Sequence, residues 1–325
     1  MMNYQDKVYG SVTIDEPILW KVMESGAMER LKGVLQHGIT GLIGITAPVS
    51  RFEHSVGAML LVRRLGASLA EQIAALLHDV SHTAFSHVID YVFDGHDSQS
   101  YHDEQKEAYI ARTDLPLLLS RYGYSWPQLV QEEHFPLLEQ PAPRLCADRL
   151  DYFLRDSLDL GLATAVEVAF ALEHLVVANG RIATNSLQAA QWLAYTYIQA
   201  DDASWANFRE VGLYELTAQA IKRGLAVGAM RQADIWRTDQ PVWDKLNAHP
   251  DAELQALLRQ VSPQTEFVWD EANPTFWVST KIRSIDPDVV VGGELRPLSS
   301  LDPDFAQHRA DYHQRKAGKW PIRVM

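Results

Sequence analysis

The sequence predicts an all-α fold that carries one small β-hairpin and an irregular C-terminal region. Apolar residues recur at helical spacing along most of the 325-residue chain, and strand-like patterns are confined to short stretches. Capping-box patterns at residues 68–71 and 164–167 mark two helix starts, since Ser or Thr is followed three residues later by Glu. These observations favour a helical scaffold over a sheet-based one.

Most of the polar motifs lie on predicted helices in the first half of the chain. The predicted helices cover residues 54–65, residues 68–78, residues 82–92, residues 144–158 and a segment that begins after Thr164. A helix continuous through His78 and His82 would place both imidazoles on one face, one turn apart. Asp148 and Tyr152 are also four residues apart, so they point in similar directions.

Strand signals occur later in the sequence. An Asn-Gly pair at residues 179–180 predicts a hairpin between residues 175–178 and residues 181–184, and residues 276–285 alternate like a strand. Proline-rich stretches interrupt the pattern beyond residue 286. We therefore divide the chain into a motif-bearing core at residues 1–175, a helical region with the hairpin at residues 176–285, and an irregular tail at residues 286–325.

Charge and cysteine content restrict the class of partner. The formal net charge of −13 disfavours binding to nucleic acid or to an anionic membrane, although a pocket can still be locally basic. No apolar run approaches the ~18 residues of a membrane span. Cys146 is the only cysteine, so an intrachain disulfide is impossible. We expect a soluble, cytoplasmic protein.

Four residues from distant parts of the chain form a potential metal-binding set, namely His54, the adjacent pair His78 and Asp79, and Asp148. Two imidazoles and two carboxylates suit a divalent transition metal or a harder ion such as Mg²⁺ or Mn²⁺. A histidine directly followed by an aspartate can direct both side chains to one ion near a helix end. On a helical scaffold, this set predicts metal-assisted hydrolysis.

Three sequence blocks carry a resemblance to a known family. They are RFEHS at residues 51–55, HDVSHTAFSH at residues 78–87 and DRLDYFLRD at residues 148–156. Together, and in this order, they resemble the HD-domain phosphohydrolases, in particular the branch that contains the deoxynucleoside-triphosphate triphosphohydrolases. The resemblance covers roughly the first 160 residues.

The resemblance implies a mostly helical fold with one divalent metal ion (Mn, Mg, Fe, Co, Ni or Zn) held by His54, His78, Asp79 and Asp148. It also implies a small phosphorylated substrate, either a nucleotide or a related small phosphate, which a metal-activated water attacks at phosphorus, and a homo-oligomeric assembly. Monophosphatase, triphosphohydrolase and phosphodiesterase activity all stay open.

Further residues near the metal set are candidates for catalysis and substrate binding. His82 is predicted to be the general acid, because imidazole titrates near working pH, and His102 resembles a further active-site histidine. Arg51 and Arg149 lie near metal ligands in the sequence and are predicted to clamp phosphate oxygens. The predicted catalytic residues are His82, Arg51, Asp79 and His102, and the predicted substrate-binding residues are Gln36, Arg149, Tyr152 and Asp156.

The sequence departs from the triphosphohydrolase pattern in two places. Residues 197–209 correspond to a basic phosphate-binding helix but carry a single basic residue, Arg209, and two acidic ones. The residue after Gln36 is His37, where an apolar residue is usual. Lys281 and Arg283 are candidates for substitute phosphate contacts, although such a pair is more typical of a solvated strand face.

Two other functions stay open on the sequence alone. A di-iron oxygenase of the same fold would need additional histidine ligands, for which His82, His102 and His134 are available. A nucleotide-binding sensor without turnover is the other alternative, although such proteins usually lose a metal ligand and all four are present here.

Overall fold

The computed structural model describes residues 2–93 and 95–325, and helices supply most of this part of the chain. The helices are α1 Pro17–Met23, α2 Gly26–Leu31, α3 Ile39–Leu42, α4 Arg51–Arg64, α5 Leu69–Leu77, α6 Val88–Val92, α7 Tyr101–Ile110, α8 Leu115–Arg121, α9 Trp126–Leu129, α10 Ala147–Asp159, α11 Ala165–Glu173, α12 Leu187–Ala200, α13 Phe208–Ala226, α14 Asp239–Asn247, α15 Ala252–Gln260, α16 Leu298–Leu301 and α17 Pro303–Lys316. The strands are β1 Met2–Asp6, β2 Gly10–Ile14, β3 Leu175–Ala178, β4 Arg181–Thr184, β5 Phe267–Trp269, β6 Phe276–Val278, β7 Asp288–Val291, β8 Glu294–Pro297 and β9 Trp320–Val324.

Helix starts follow the local capping chemistry. The Ser50 hydroxyl accepts a hydrogen bond from Glu53 N, and the Glu53 carboxylate accepts one from Ser50 N, so α4 begins with a capping box. Ser68 caps α5 as predicted, but the Glu71 carboxylate turns away from it. Glu71 accepts hydrogen bonds from the backbone of Leu137 and Leu138 instead, which ties the segment before α10 to α5.

The predicted helix at residues 82–92 is wrong for its first half, because residues 78–87 form successive turns and the helix begins at Val88. Side chains from distant parts of the sequence bind backbone carbonyl and N–H groups that would otherwise form helical hydrogen bonds. Arg30 donates to the carbonyls of Val80 and His82 at 2.8 and 2.7 Å, and Asp239 accepts from Phe85 N at 2.8 Å. His78 and His82 therefore do not share a helix face.

The C-terminal tail is not irregular, and the fold is helical with three small sheets rather than all-α. Strand β7 pairs with β4 in the sheet β3-β4-β7-β8, and β9 lies between β5 and β6, while β1 and β2 form a hairpin. The prolines that suggested an irregular tail flank regular elements, with Pro287 before β7, Pro297 before α16 and Pro303 at the first position of α17.

The predicted strand at residues 276–285 is shorter than expected, since only Phe276–Val278 pairs with β9. The following residues run between other elements. Arg283 N donates to Asp201 at 2.8 Å, and Asp286 N donates to the Pro143 carbonyl at 2.8 Å. These bonds hold residues 283–286 against the turn after α12 and the segment that precedes α10.

Two hydrophobic clusters support the helices. One contains buried residues of α4, α5, α10 and α12, and the other is centred on α6 and α13. In the described ranges, no helix combines the length and apolar character that crossing a membrane requires.

Candidate active site

The four predicted metal ligands converge in the structure. His54 lies on α4, His78 and Asp79 directly follow α5, and Asp148 lies in the first turn of α10. His54 Nε2 is 3.0 Å from Asp148 Oδ1 and 3.2 Å from His78 Nε2. The Asp79 carboxylate oxygens lie 3.5 Å from His54 Nε2 and 3.7 Å from His78 Nε2. Two imidazole nitrogens and two carboxylates thus lie around one small volume.

Both imidazoles can direct a nitrogen lone pair into this volume. His78 Nδ1 lies 2.7 Å from the Ala75 carbonyl oxygen, which can only accept, so this nitrogen carries a proton. His54 Nδ1 is 2.8 Å from the Asp151 carboxylate, which also only accepts when ionised, so this nitrogen carries a proton too. In the neutral rings, both Nε2 atoms are therefore unprotonated and face Asp148, an arrangement that fits a divalent cation.

The carboxylates also raise the proton affinity of these rings. Burial lowers the pKa of His54, but hydrogen bonds with Asp148 and Asp151 more than offset it and raise the pKa to about 10. Burial raises the pKa of Asp148, yet His54 and His78 hold it well below its ordinary value. Because protons and cations compete for the same nitrogens, a cation held here would displace protons and bind more strongly as pH rises.

Asp151 and Arg155, on the same helix as Asp148, fix the orientation of His54. Arg155 Nε is 2.8 Å from Asp151, and Arg155 Nη2 is 2.8 Å from Asp6 at the end of β1. All three charged groups are buried. The sequence analysis missed Asp151 and Arg155, although both lie within the DRLDYFLRD block.

Gly57 in α4 leaves the space that this ion pair occupies. A Cβ atom at residue 57 would overlap the Arg155 guanidinium and the Asp151 carboxylate. We expect Gly57→Ala to lower the free energy of unfolding by about 3–5 kcal/mol, the usual loss when a buried ion pair is broken. Gly26→Ala is the matched control, since its Cβ would make an ordinary 3.5 Å contact with Asp114. Urea denaturation of both variants tests this, and equal stability would contradict it.

Arg51 binds Asp79, one of the four candidate metal ligands. Its Nη1 is 2.7 Å from Asp79 Oδ2, and its Nε donates to Ser86 Oγ at 3.0 Å. Burial raises the pKa of Asp79, but Arg51 and the neighbouring histidines hold it well below its ordinary value. Arg51 thus keeps Asp79 ionised and oriented, and it still lines the cavity described below.

Three further histidines gather beside Asp79. His82 Nε2 is 3.1 Å from Asp79 Oδ1, and the ring stacks on His102 with centroids 3.8 Å apart. The His87 ring lies edge-on to His82 at 5.1 Å. Burial and then Arg51 hold the pKa of His82 well below its ordinary value, so this ring is neutral at pH 7.

The structure pairs His87 with Asp90, with His87 Nδ1 3.1 Å from Asp90 Oδ2, so Asp90 orients His87. Burial raises the pKa of Asp90 to about 6. The turn at residues 83–86, with Phe85 and Ser86 in the left-handed region, brings His87 back towards His82.

Besides His54, His78 and Asp148, the described residues contain two other groups whose donor atoms could surround a cation. One consists of Asp79, His82 and His102, and the other of Glu139, Cys146 and Asp148. His134, which the oxygenase alternative could also use, lies on an exposed turn and does not line the cavity.

Three of the four candidate metal ligands, His78, Asp79 and Asp148, line a cavity of about 490 Å³. All four predicted substrate-binding residues line it, namely Gln36, Arg149, Tyr152 and Asp156. The Tyr152 and Tyr197 hydroxyls are hydrogen-bonded to each other, and Trp205 Nε1 donates to Asp156 at 2.7 Å. Arg149 is bound by the preceding segment, where it donates to the Arg144 carbonyl at 2.6 Å.

His37 is a buried cation at one wall of the cavity. Its Nε2 is 3.1 Å from Asp156, and its Nδ1 is 3.9 Å from Glu210. Burial lowers the pKa of His37, but these two carboxylates more than offset it and raise the pKa to about 9. Because Asp156 is paired with the positive charge of His37, the charge of Asp156 is already balanced when a ligand enters the cavity.

We expect the His37 imidazole to titrate near pH 9, and Asp156→Asn to move the midpoint towards the ordinary value of about 6.5. The folded-state pKa is raised, so this contribution to stability is complete below about pH 6.5 and is lost as pH rises through about 9. NMR titration of ¹³C-labelled histidine, assigned with His37→Gln, measures the midpoint. A wild-type midpoint below pH 7 would contradict the pairing.

Comparisons with known proteins agree with this geometry. The family described as HD domain matches residues 51–156, which include all four candidate metal ligands. The metal-dependent phosphohydrolase cns2 of Cordyceps militaris is 37% identical over 317 residues, covering 95% of this chain and 91% of that protein. The chain belongs to the HD-domain metal-dependent phosphohydrolases. The candidate metal ligands of this phosphohydrolase therefore lie in the part of the chain that defines the family.

More distant relatives fit the same assignment. The deoxynucleoside triphosphate triphosphohydrolase SAMHD1 of Gallus gallus is 27% identical over 212 residues, covering 50% of this phosphohydrolase and 34% of that protein. The crystal structure of a hypothetical protein from Aquifex aeolicus superposes with a TM-score of 0.73, covering 94% of this chain and 93% of that one. At 18% identity, the latter supports the fold alone.

Proposed function

We propose that this phosphohydrolase cleaves a phosphate ester of a small molecule, a nucleotide, with one divalent metal ion held by His54, His78, Asp79 and Asp148. The observation that carries the proposal is the convergence of two imidazole nitrogens and two carboxylates, three of which line a cavity that several cations also line. Mixed nitrogen and oxygen donors suit several divalent ions, so the donor set leaves the metal open among Mn, Mg, Fe, Co, Ni and Zn.

A divalent cation in this group would supply Lewis-acid stabilisation and an activated water. Asp79 links that group to two predicted catalytic residues, since it contacts both Arg51 and His82. We propose that His82 transfers a proton to the leaving oxygen. Its low pKa in the free site rises when an anionic phosphate lies beside it, because a nearby negative charge favours imidazolium. His102 stacks on His82 and holds the ring in place.

The walls of the cavity favour a nucleotide among phosphate esters. Tyr152, Tyr197, Trp205 and Tyr214 line one side, and aromatic rings bind a base or sugar face by stacking and apolar contact. Gln36 lines the same cavity, and its side-chain oxygen is buried without a hydrogen-bond partner in the structure. We propose that Gln36 recognises a sugar hydroxyl or a base amino group.

Phosphate release tests this proposal. The purified protein, stripped of metal and reloaded separately with each of the six ions, is incubated with nucleoside mono-, di- and triphosphates and with simple phosphate esters. We expect release with at least one ion, and its loss on chelation. Absence of release from every ester with every ion would contradict the proposal. Two irons per chain together with oxygen uptake would instead favour the oxygenase alternative.

Assembly into a homo-oligomer is part of the same proposal. It rests on the family resemblance, and light scattering on the purified protein measures it. A mass of one chain at micromolar concentration would contradict this part alone.

A further inference from the structure

Six lysine and arginine side chains line the cavity, and four of them lie within 4.0 Å of a carboxylate. Arg51 lies 2.7 Å from Asp79, and Lys106 lies 2.9 Å from Asp103 and also contacts Glu132. The other two of these side chains are Arg149, 3.4 Å from Glu139, and Arg309, 3.5 Å from Asp286. These pairs are built into the protein and need no ligand to balance them.

The remaining two cations, Lys281 and Arg283, contact neutral acceptors alone. Arg283 donates to the Lys281 carbonyl at 3.1 Å and to the Gln99 side-chain oxygen, and Lys281 Nζ lies 3.5 Å from the Ser98 carbonyl. Within residues 2–93 and 95–325, no carboxylate oxygen lies within 4.0 Å of either side-chain charge. Lys281 is exposed, whereas Arg283 is half-buried, and the Asp201 carboxylate binds the Arg283 backbone N rather than the guanidinium. Since half-buried charges are usually paired, a guanidinium without a carboxylate contact points to a negative partner that is not part of the chain.

The backbone that carries these two residues is fixed from three sides. Asp201 accepts from Arg283 N, and the Pro143 carbonyl accepts from Asp286 N. Ser284 Oγ is 2.7 Å from His313 Nε2 on α17. The segment is therefore positioned by the turn after α12, by the loop before α10 and by the C-terminal helix.

The two cations also lie in the electrostatic field of the candidate active site. Burial and then the charges of Arg283 and Arg149 lower the pKa of Lys281, whereas Asp148 opposes that change. Burial, Arg51, Arg283 and Lys281 likewise hold the pKa of His87 well below its ordinary value. Positive charge is thus concentrated between the metal-binding group and residues 281–283, and a bound anion would relieve the mutual repulsion.

We propose that Lys281 and Arg283 bind the non-bridging oxygens of a dianionic phosphate, and that the substrate is a phosphate monoester. This inference rests on the proposed phosphate-ester hydrolysis. Two unpaired cations match the charge of about −1.5 to −2 that a monoester carries at pH 7, whereas a diester carries about −1 and a triphosphate considerably more. Arg283 offers a planar pair of donors to two phosphate oxygens, and Lys281 adds a compact charge beside it.

Binding of inorganic phosphate to the metal-loaded protein tests the assignment without requiring turnover. Lys281→Gln, Arg283→Gln and the double variant are compared with wild type by titration calorimetry, with metal content measured in each. Lys319→Gln and Arg259→Gln are matched controls, because both side chains are exposed and make no polar contact with the residues that the structure describes. We expect the double variant to bind phosphate at least roughly tenfold more weakly, a loss of about 1.4 kcal/mol, with its metal content unchanged. Arg283→Lys should recover part of the loss.

Hydrolysis of p-nitrophenyl phosphate and bis(p-nitrophenyl) phosphate provides the second readout. Wild type is expected to prefer the monoester in kcat/KM, and the double variant to lose most of that preference. If wild type binds and hydrolyses the monoester but the double variant retains both properties within twofold, this inference is wrong and the proposed function stands. If wild type hydrolyses diesters in preference, the monoester assignment is wrong. If wild type neither binds phosphate nor releases it from any ester, both proposals fail.

Discussion

Replacing His78 or Asp79 with alanine is expected to remove bound metal and turnover together. Both side chains face the common volume between α4, α5 and α10, and each contributes a donor atom to it. Loss of the cation removes several kcal/mol of transition-state stabilisation, which corresponds to a rate decrease of roughly 10³-fold or more. Elemental analysis of the purified variants and a phosphate-release assay measure the two effects on the same samples.

His134→Ala is the control for this experiment. His134 lies on an exposed turn outside the cavity, so the variant should keep the metal content and activity of wild type. A His78 variant that retains stoichiometric metal would show that the ligand assignment is wrong. Loss of metal from the His134 variant would support the oxygenase alternative, which needs additional histidine ligands.

His82→Ala is expected to slow turnover by about 10²–10⁴-fold, the usual contribution of a general acid, while the metal stays bound. His82 contacts Asp79 but lies outside the group formed by His54, His78 and Asp148. The decrease should be largest for substrates with alkoxide leaving groups, which need a proton, and smaller for p-nitrophenyl phosphate. This dependence on the leaving group separates proton transfer from a purely structural role.

Metal analysis of the His82 variant decides between two roles for this residue. Asp79, His82 and His102 form a second group of possible ligands, so His82 is a ligand in the competing arrangement. Loss of metal from His82→Ala, or an equal rate decrease for all leaving groups, would contradict the general-acid assignment.

The helices and the convergence of the four candidate metal ligands were predictable because their signals are local. Capping residues and helical spacing mark α4, α5 and α10, and the ligands lie in blocks whose order is itself informative. The turn at residues 78–87 was not predictable from spacing. Its backbone is bound by Arg30 and Asp239, which are distant in sequence, and these tertiary bonds override the helical pattern.

The C-terminal part of the site depends on contacts that a linear pattern does not contain. Strand β9 pairs with β5 and β6 across about 50 residues, and β7 pairs with β4 across about 100. Those pairings bring Lys281 and Arg283 to the cavity, where the sequence favoured a solvated strand face. The sequence alone shows that two basic residues are present in this segment. It does not show that their side chains lack a carboxylate partner in the folded protein.

The position of the bound ion tests the central claim most directly. Crystals of the protein grown with Mn²⁺, measured near the manganese absorption edge, give an anomalous difference map that locates the ion. The account predicts one strong peak within about 2.5 Å of donor atoms from His54, His78, Asp79 and Asp148. A fully occupied manganese peak elsewhere, with no density among these four residues, would contradict it.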